Sequence, residues 1–503
     1  MTRAILIFGG TGDLSRRKLY PALYQLHARG KLGDTVILAC GRRKLGREEF
    51  ESLAGEFVKP RANQQSTASG PLVHPRPEGR GLPPLSAFFR HVHYHSMDFR
   101  HAEEFGSLYK RLVELAPGTR EMVLGYLAVP PAELEPVVRN AMKMLNRSQR
   151  ARLRLLVEKP IGTDYASARR LNSLLDRFVG EHNVYRIDHF LAKEAVENLL
   201  VLRFANRLFE RIWSRESVSC VQISFSEQIG VENRAGFYDR TGALADFVQS
   251  HLLQVLSLIA MEPPSCMEED PIKNAKVRAL KMLAPLRKED VVMGQYGGGK
   301  VDGKEVPAYA HEPGVNPSSR TETFVALRTH VRTPRWKGVP FFLMTGKRLD
   351  KSEGLVTISF RPPHACLFTP GGKKHGHTHK YSGAKAFDLG TSQLQIQVQP
   401  EEVFRLRFSL KTPEEALSVK PFSMDYCYSC DYLYQRLPYE KVFEDALAGD
   451  HTRFSRRDEV ELAWKWVETL KQKPPLHHYV SGSKGPAAAD ELLSKDGFCW
   501  QKA

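Results

Sequence analysis

The chain has 503 residues, 42% hydrophobic and 10% aromatic, with 73 Lys and Arg against 57 Asp and Glu and a formal charge of +16. That length exceeds what one core ordinarily serves, so two domains are expected, each large enough to fold without cross-links. No apolar run approaches the ~20 residues of a bilayer span and no signal-peptide pattern precedes the first apolar stretch, so membrane and secretory classes are set aside.

The positive charge raises nucleic acid as a partner, but its distribution speaks against one. The clusters Arg16-Arg17-Lys18, Arg42-Arg43-Lys44 and Arg152-Leu153-Arg154 are short, separated and without interleaved aromatics. An anionic small molecule accounts for them more simply. The seven cysteines are odd in number and scattered, which fits reduced thiols inside a cell, with no disulfide expected. Cys427 and Cys430 form a lone CxxC with no second pair, so they too read as incidental thiols, and no metal site is expected.

In chain order, Ala4 to Phe8 is a buried-strand run, Gly9 to Gly12 a turn, and Leu14 to His27 a helix by its apolar spacing. Val36 to Cys40 is a second strand that closes a βαβ unit. The stretch from Pro60 to Pro84 lacks apolar periodicity and reads as a long surface loop. Met122 to Val129 is the next strand, Ala132 to about Leu145 a helix, and Arg152 to Val157 a strand ending at Glu158-Lys159-Pro160. Alternating strands and helices imply a parallel sheet with right-handed crossovers, a doubly wound dinucleotide-binding domain over residues 1–186.

Residues 186–194, RIDHFLAKE, bring an acid, an imidazole and an ammonium into a few positions. Read at helical spacing, His189 and Lys193 are i,i+4 neighbours and Asp188 turns away, giving a phosphate clamp beside an orienting acid. The helix expected from Ala243 to Met261 is strongly apolar and holds His251, with Asp246 five residues before it. Strand-like runs at Val218–Ser226, Phe324–His330, Val356–Arg361, Leu394–Gln399 and Phe404–Ser409 predict a larger α+β domain, residues 187–503, on a mostly antiparallel sheet. Residues 373–380, KKHGHTHK, read as a Gly/His/Lys surface loop rather than a metal site.

The cofactor site follows from the first βαβ unit. Gly9, Gly10, Thr11, Gly12, Asp13 and Leu14 follow a strand and open a helix, the setting in which backbone N–H groups meet a pyrophosphate at a helix N-terminus. Leu14 stands where the commonest fingerprint has its last glycine. The second strand ends in Gly41-Arg42-Arg43-Lys44 rather than in the acid that binds a free ribose 2′-hydroxyl. Guanidinium groups there fit a 2′-phosphate, so NADP is expected over NAD.

Several segments in this order and spacing make the chain resemble the glucose-6-phosphate dehydrogenase family. They are GGTGDLSRRKLYPALYQL from 9, LAVPP from 127, EKPIGTD from 158, YRIDHFLAKEAVENLLVLRFANRLF from 185, ENRAGFYDRTGALADFVQSHLLQ from 232, VPFFLMTGK from 339, QVQPEE from 397 and GSKGPAAADELL from 482. The resemblance implies oxidation of glucose 6-phosphate at C1 by NADP+ to 6-phosphoglucono-δ-lactone, the step that opens the oxidative pentose phosphate pathway. It implies His251 as general base, Asp188 as the acid pairing with it, and Lys159 completing the catalytic set. His189 and Lys193 would hold the 6-phosphate, Glu227 and Asp246 the sugar hydroxyls, and Lys347 and Gln399 the rest of the substrate. Lys18, Arg42, Arg43 and Lys159 would join the glycine turn around the cofactor, and a cis peptide before Pro160 is implied as well. A cytoplasmic homodimer or homotetramer goes with the same resemblance.

The chain departs from the family in places. Phe190 stands where a tyrosine hydroxyl commonly touches the substrate phosphate, Ala192 replaces a common glycine, and Ser352 takes the place of an arginine, with Lys351 beside it. At the second NADP site of animal members the chain keeps Arg407, Lys484 and Trp500 but has Met344, Glu353 and Thr357 where cations are usual. One NADP per subunit is therefore expected. Two rival readings are a dehydrogenase of unphosphorylated sugars, which gives no reason for His189 with Lys193, and a catalytically dead NADPH-binding regulator, which gives no reason for His251, Asp188 and Lys159.

Overall fold

The computed structural model describes residues 4–58, 83–117, 122–363, 392–411, 413, 419–431 and 436–502. The loop expected over 60–84, apart from its last two residues, and the whole of 373–380 lie outside the described residues. The chain forms two compact units. One comprises Met1–Ala192 with Cys266–Lys273 and Tyr432–Glu461, the other Lys193–Ser265, Asn274–Asp431 and Leu462–Ala503.

In the first unit, strands β1 (Ala4–Phe8), β2 (Val36–Gly41), β3 (Val92–Ser96), β4 (Val123–Leu127), β5 (Leu153–Val157) and β6 (Val184–Arg186) make one sheet in the order β3-β2-β1-β4-β5-β6. Every pairing is parallel. β1 is buried along its full length, as a strand with helices over both faces must be, and its unbroken apolar run is the sequence sign of that burial. The order reverses between β1 and β4, the switch point beside which open α/β sheets bind ligands. One face of the sheet shares a core in which Leu19, Tyr20, Leu23 and Leu26 meet Val442, Phe443, Ala446 and Leu447 from the helix Pro438–Ala448.

The second unit holds β7 (Val218–Ser226), β8 (Val291–Val301), β9 (Lys304–Val306), β10 (Phe324–His330), β11 (Pro340–Gly346), β12 (Glu353–Phe360), β13 (Gln393–Gln399), β14 (Val403–Lys411), β15 (Val419–Cys427) and β16 (Leu476–Ser481). Their order is β15-β14-β13-β12-β7-β11-β10-β8-β16, with β9 paired to β8. All neighbours are antiparallel except β7 with β11 and β8 with β16. The expected α+β unit on a mostly antiparallel sheet is observed.

The segment Ala235–Ala260 is long and apolar enough to pass for a membrane span, yet 83% of its most apolar window is buried inside the protein. It is a core helix. Gly242, at φ +69 and ψ 173, interrupts it, so the continuous part begins at Ala243, where the apolar pattern starts. A Cβ at Gly242 would lie 2.3 Å from Glu322 Oε1, and Ala243 N–H donates to the Glu322 carbonyl at 3.0 Å.

One expectation fails on the cysteines. Cys427 and Cys430 are joined by a disulfide. β15 ends at Cys427 and the chain turns at once into the short helix Tyr428–Asp431, which brings the two Cα atoms to 5.2 Å, inside the range a disulfide spans. The reading from an odd, scattered cysteine count had no access to that local turn. Cys40, Cys220, Cys266 and Cys499 are free.

Candidate active site

The first unit carries its candidate residues on the carboxyl edge of the parallel sheet. Gly9 and Gly10 follow β1, and both N–H groups donate to the Cys40 carbonyl of β2, at 2.9 and 2.8 Å. Gly9 has φ +89, and a Cβ there would sit 2.2 Å from the Ala128 carbonyl oxygen beyond β4. Only glycine lets the turn pass so close to the neighbouring strand. Gly10 lies against Ala39, and Gly12 N–H returns to the Gly9 carbonyl at 2.9 Å. The close helix–strand packing that a third glycine usually permits is met here by Ser15, whose hydroxyl donates to the Gly9 carbonyl at 3.0 Å, and by the buried Tyr20 hydroxyl, which donates to the Gly10 carbonyl at 2.6 Å.

After Gly12 the helix opens at Asp13 and is not a uniform α-helix. Ser15–Leu19 is a π-helical turn, and the α-helix runs from Tyr20 to Ala28. Asp13 is exposed and pairs with Arg17 at 2.6 Å, while Lys18 is exposed on the same turn. Beyond β2, Arg42, Arg43 and Lys44 are all exposed. Tyr94 from β3 fixes their backbone, its hydroxyl contacting the carbonyls of Gly41 at 2.9 Å and Arg43 at 2.6 Å. Thr11 leans over Gly41, where a Cβ would lie 3.2 Å from its Oγ1. A glycine turn that passes close to the neighbouring strand, followed by a helix start, makes a donor set that fits the pyrophosphate of a dinucleotide.

Lys159 and Asp188 are brought together by strand register. β5 and β6 are parallel neighbours with Val157 opposite Arg186, so two residues further on Lys159 falls opposite Asp188. Lys159 Nζ donates to Asp188 Oδ2 at 2.6 Å, with side-chain exposures of 11% and 0%. Asp188 Oδ1 accepts the Phe190 N–H at 3.0 Å. The Lys159–Pro160 peptide is cis, as the resemblance implied.

That Asp188 turn overturns the helical reading of RIDHFLAKE. Residues 189–192 form a turn, Lys193 is extended at φ −81 and ψ 135, and the helix begins only at Glu194. The aspartate side chain captures a backbone N–H two residues on, offering the chain an alternative to the helix. His189 and Lys193 are therefore not i,i+4 neighbours on a helix face. His189 is half-buried beside Phe190, their rings 4.8 Å apart.

The second unit gathers its candidates at one edge of the large sheet by the same logic. β7 and β11 are parallel with Ser226 opposite Gly346, so the next residues, Glu227 and Lys347, are opposed. Lys347 Nζ donates to Glu227 Oε2 at 2.7 Å and lies 5.3 Å from the centre of the Tyr238 ring. The start of β12 and the end of β13 reach this edge, with Gly354 opposite Gln399. Lys193 Nζ donates to the Val398 carbonyl at 2.9 Å and to Gln399 Oε1 at 3.2 Å. Burial lowers the proton affinity of Lys193, and nearby Glu402 partly restores it.

His251 and Asp246 lie in Leu244–Leu252, which is π-helical and packs against β11. Hydrogen bonds from i to i+5 make residues five apart, not four, the neighbours on one face. The spacing of Asp246 and His251, unremarkable for an α-helix, suits this geometry. His251 is 9% exposed, its ring 5.2 Å from that of Phe247, and Asp246 meets Arg234 at 3.4 Å.

Two tyrosines that sequence reasoning did not single out converge on Glu158, the residue before Lys159. Glu158 Oε1 accepts from the Tyr126 hydroxyl and, at 3.1 Å, from the Tyr439 hydroxyl. Glu158 lay inside the quoted EKP segment, and Tyr126 beside LAVPP. Tyr439, 281 residues away, gave no sequence signal.

Comparison with known proteins gives two family matches that together cover almost the whole chain. Residues 6–198 match the glucose-6-phosphate dehydrogenase NAD-binding domain and residues 200–501 the glucose-6-phosphate dehydrogenase C-terminal domain. The glucose-6-phosphate 1-dehydrogenase of Chlamydia muridarum is 37% identical, covering 99% of this chain and 96% of the relative, and that of Bacillus subtilis is 34% identical over 99% and 97%. Among solved structures, a glucose-6-phosphate dehydrogenase in complex with glucose 6-phosphate superposes with a TM-score of 0.84 at 31% identity, covering 99% of this chain and 98% of that one. The Mycobacterium avium enzyme gives 0.80 at 32%, covering 100% and 98%.

Proposed function

Because this chain belongs to the glucose-6-phosphate dehydrogenase family, we infer that it oxidises glucose 6-phosphate at C1 to 6-phosphoglucono-δ-lactone with a nicotinamide cofactor. The cofactor we propose is NADP. Its support is the run of exposed Arg42, Arg43 and Lys44 at the end of β2, where a carboxylate would repel a 2′-phosphate. Gly9 to Leu14 would hold the pyrophosphate against the helix start, with Lys18 nearby. When bound, the nicotinamide accepts the C1 hydride.

We assign His251 to take the proton from the C1 hydroxyl, a role worth about 10²- to 10⁴-fold in rate. Asp188 would orient the imidazole and stabilise its charge, and Lys159, held at 2.6 Å from that acid, would point the pair toward the reacting end. Lys193 and His189 would take the dianionic phosphate; Glu227, Asp246, Lys347 and Gln399 would accept and donate to the sugar. The observation that carries this assignment is the Lys159–Asp188 pair on the carboxyl edge of the parallel sheet, where such folds bind ligands. Cytoplasmic action as a homodimer or homotetramer goes with the reading. Edge strand β15 supports assembly, since it leaves Phe422, Met424 and Tyr426 43%, 59% and 43% exposed.

The test is NADPH formation with glucose 6-phosphate against glucose, repeated on His251→Asn. Turnover of glucose at an equal rate would refute the phosphate assignment, and an undiminished His251→Asn rate would refute the base.

A further inference from the structure

We propose that Tyr439 is a positioning residue for the oxidation, acting with Tyr126 to clamp Glu158 and, through it, the Lys159–Asp188 pair. The inference rests on the role given to Lys159 above and deepens it.

The geometry is specific. Two phenols, one from β4 and one from the helix Pro438–Ala448, converge on a single oxygen, Glu158 Oε1. Glu158 is the residue immediately before Lys159, so fixing its carboxylate fixes the backbone from which the Lys159 side chain leaves. The ammonium then has only 2.6 Å to Asp188. An error of about 1 Å in such a group costs on the order of 10²-fold in rate, so a clamp one residue away has leverage.

The helix that brings Tyr439 is itself anchored in the first unit. Glu440, with a fully buried side chain, accepts from Arg29 at 2.9 Å. Phe443 packs on the Tyr126 ring at 5.6 Å, and Arg154 donates to the Ala446 carbonyl at 2.7 Å. A surface tyrosine on a loose helix would not hold a carboxylate in place; this one is seated on three sides.

The clamp also controls charge. Burial raises the proton affinity of Glu158, and the hydrogen bonds from Tyr126 and Tyr439 oppose it. Asp188 nearby raises it further and Lys159 lowers it. Among the described residues, these four are the titratable groups that act on the carboxyl. Removing a phenol hydroxyl weakens the charged form, so Glu158 takes up a proton at a higher pH and the Lys159–Asp188 pair loses a neighbouring negative charge.

The experiment compares kcat, KM and the pH profile of kcat/KM for wild type, Tyr439→Phe, Tyr126→Phe and Lys159→Met, with thermal melting of each. The expected result for Tyr439→Phe is a kcat lower by roughly tenfold, the scale of one hydrogen bond to a charged group. KM for glucose 6-phosphate should stay within about twofold, since no substrate contact is removed. The acid limb should move to higher pH, and Tyr126→Phe should move it the same way. A Tyr439→Phe protein with the wild-type rate and limb overturns the inference. So does a loss of activity that follows loss of folded protein with the limb unmoved, because that is a merely structural role. Failure of the underlying reading looks different: wild type inert toward glucose 6-phosphate, or Lys159→Met fully active.

Discussion

Asp188→Asn tests whether strand register has built a charge pair that the fold depends on. The aspartate side chain is fully buried and Lys159 is 11% exposed, with 2.6 Å between Nζ and Oδ2. Asparagine keeps an oxygen for the Phe190 N–H, so that turn contact survives while the ammonium loses its counter-charge. Removing one partner of a buried pair costs about 3 to 5 kcal/mol, and the slight exposure of Lys159 favours the lower figure. About 3 kcal/mol is roughly a hundredfold in an equilibrium constant. With two units the protein is not expected to unfold in one step, so the measurement is hydrogen exchange of the Leu155–Val157 and Val184–Arg186 amides. Their protection should fall by about that factor. The double variant Asp188→Asn/Lys159→Met removes both charges and leaves an apolar chain of similar length, so protection should largely return while turnover does not. If the double variant exchanges as fast as the single one, the pair is not what holds these strand ends, and the register argument fails.

Replacing Arg42 and Arg43 by Asp should lower kcat/KM for NADP by about ten- to a hundredfold and raise the relative use of NAD; an unchanged ratio refutes the 2′-phosphate assignment. The lowered proton affinity of Lys193 means its ammonium is present below its folded pKa and lost as pH rises through it. KM for glucose 6-phosphate should therefore climb on the alkaline side at a lower pH than an ordinary lysine, near 10.4, would allow. Lys193→Arg should move that climb upward, and an identical alkaline limb in the two proteins counts against Lys193 as a phosphate ligand. Gly9→Ala should abolish cofactor binding or folding of the first unit, because a Cβ would meet the Ala128 oxygen at 2.2 Å; a soluble variant with wild-type cofactor affinity by calorimetry contradicts the close-approach argument.

The parallel sheet, its glycine turn and the cationic end of β2 were legible because each has a local sequence cause: an unbroken apolar run, glycines after it, and charges where the strand must end. The strand runs of the second unit were legible for the same reason. The turn at 189–192 was not, since residues that suit a helix by spacing are diverted when the Asp188 carboxylate takes the Phe190 N–H. The π-helical geometry around Asp246 and His251 was hidden as well. It changes which residues are neighbours without changing which residues are present. The opposition of Glu227 to Lys347 and of Lys159 to Asp188 depends on which strands pair, and a sequence read alone does not give the pairing. Tyr439 reaches Glu158 only through a long excursion of the chain, and the Cys427–Cys430 disulfide is set by the turn at the end of β15.

The first unit is assembled from three separate stretches, the last being Tyr432–Glu461, and Val442, Phe443, Ala446, Leu447 and Phe454 complete its core. On the ribosome, residue 192 emerges about 270 residues ahead of residue 461. At ~5–20 residues per second that is a wait of roughly 15 to 50 s. Throughout that interval the nascent nucleotide-binding sheet is missing a wall, with Tyr126 and the Tyr20–Ala28 helix uncovered. A nascent-chain chaperone therefore has a defined apolar surface to shield, and any stop codon before 438 leaves a product that never closes it.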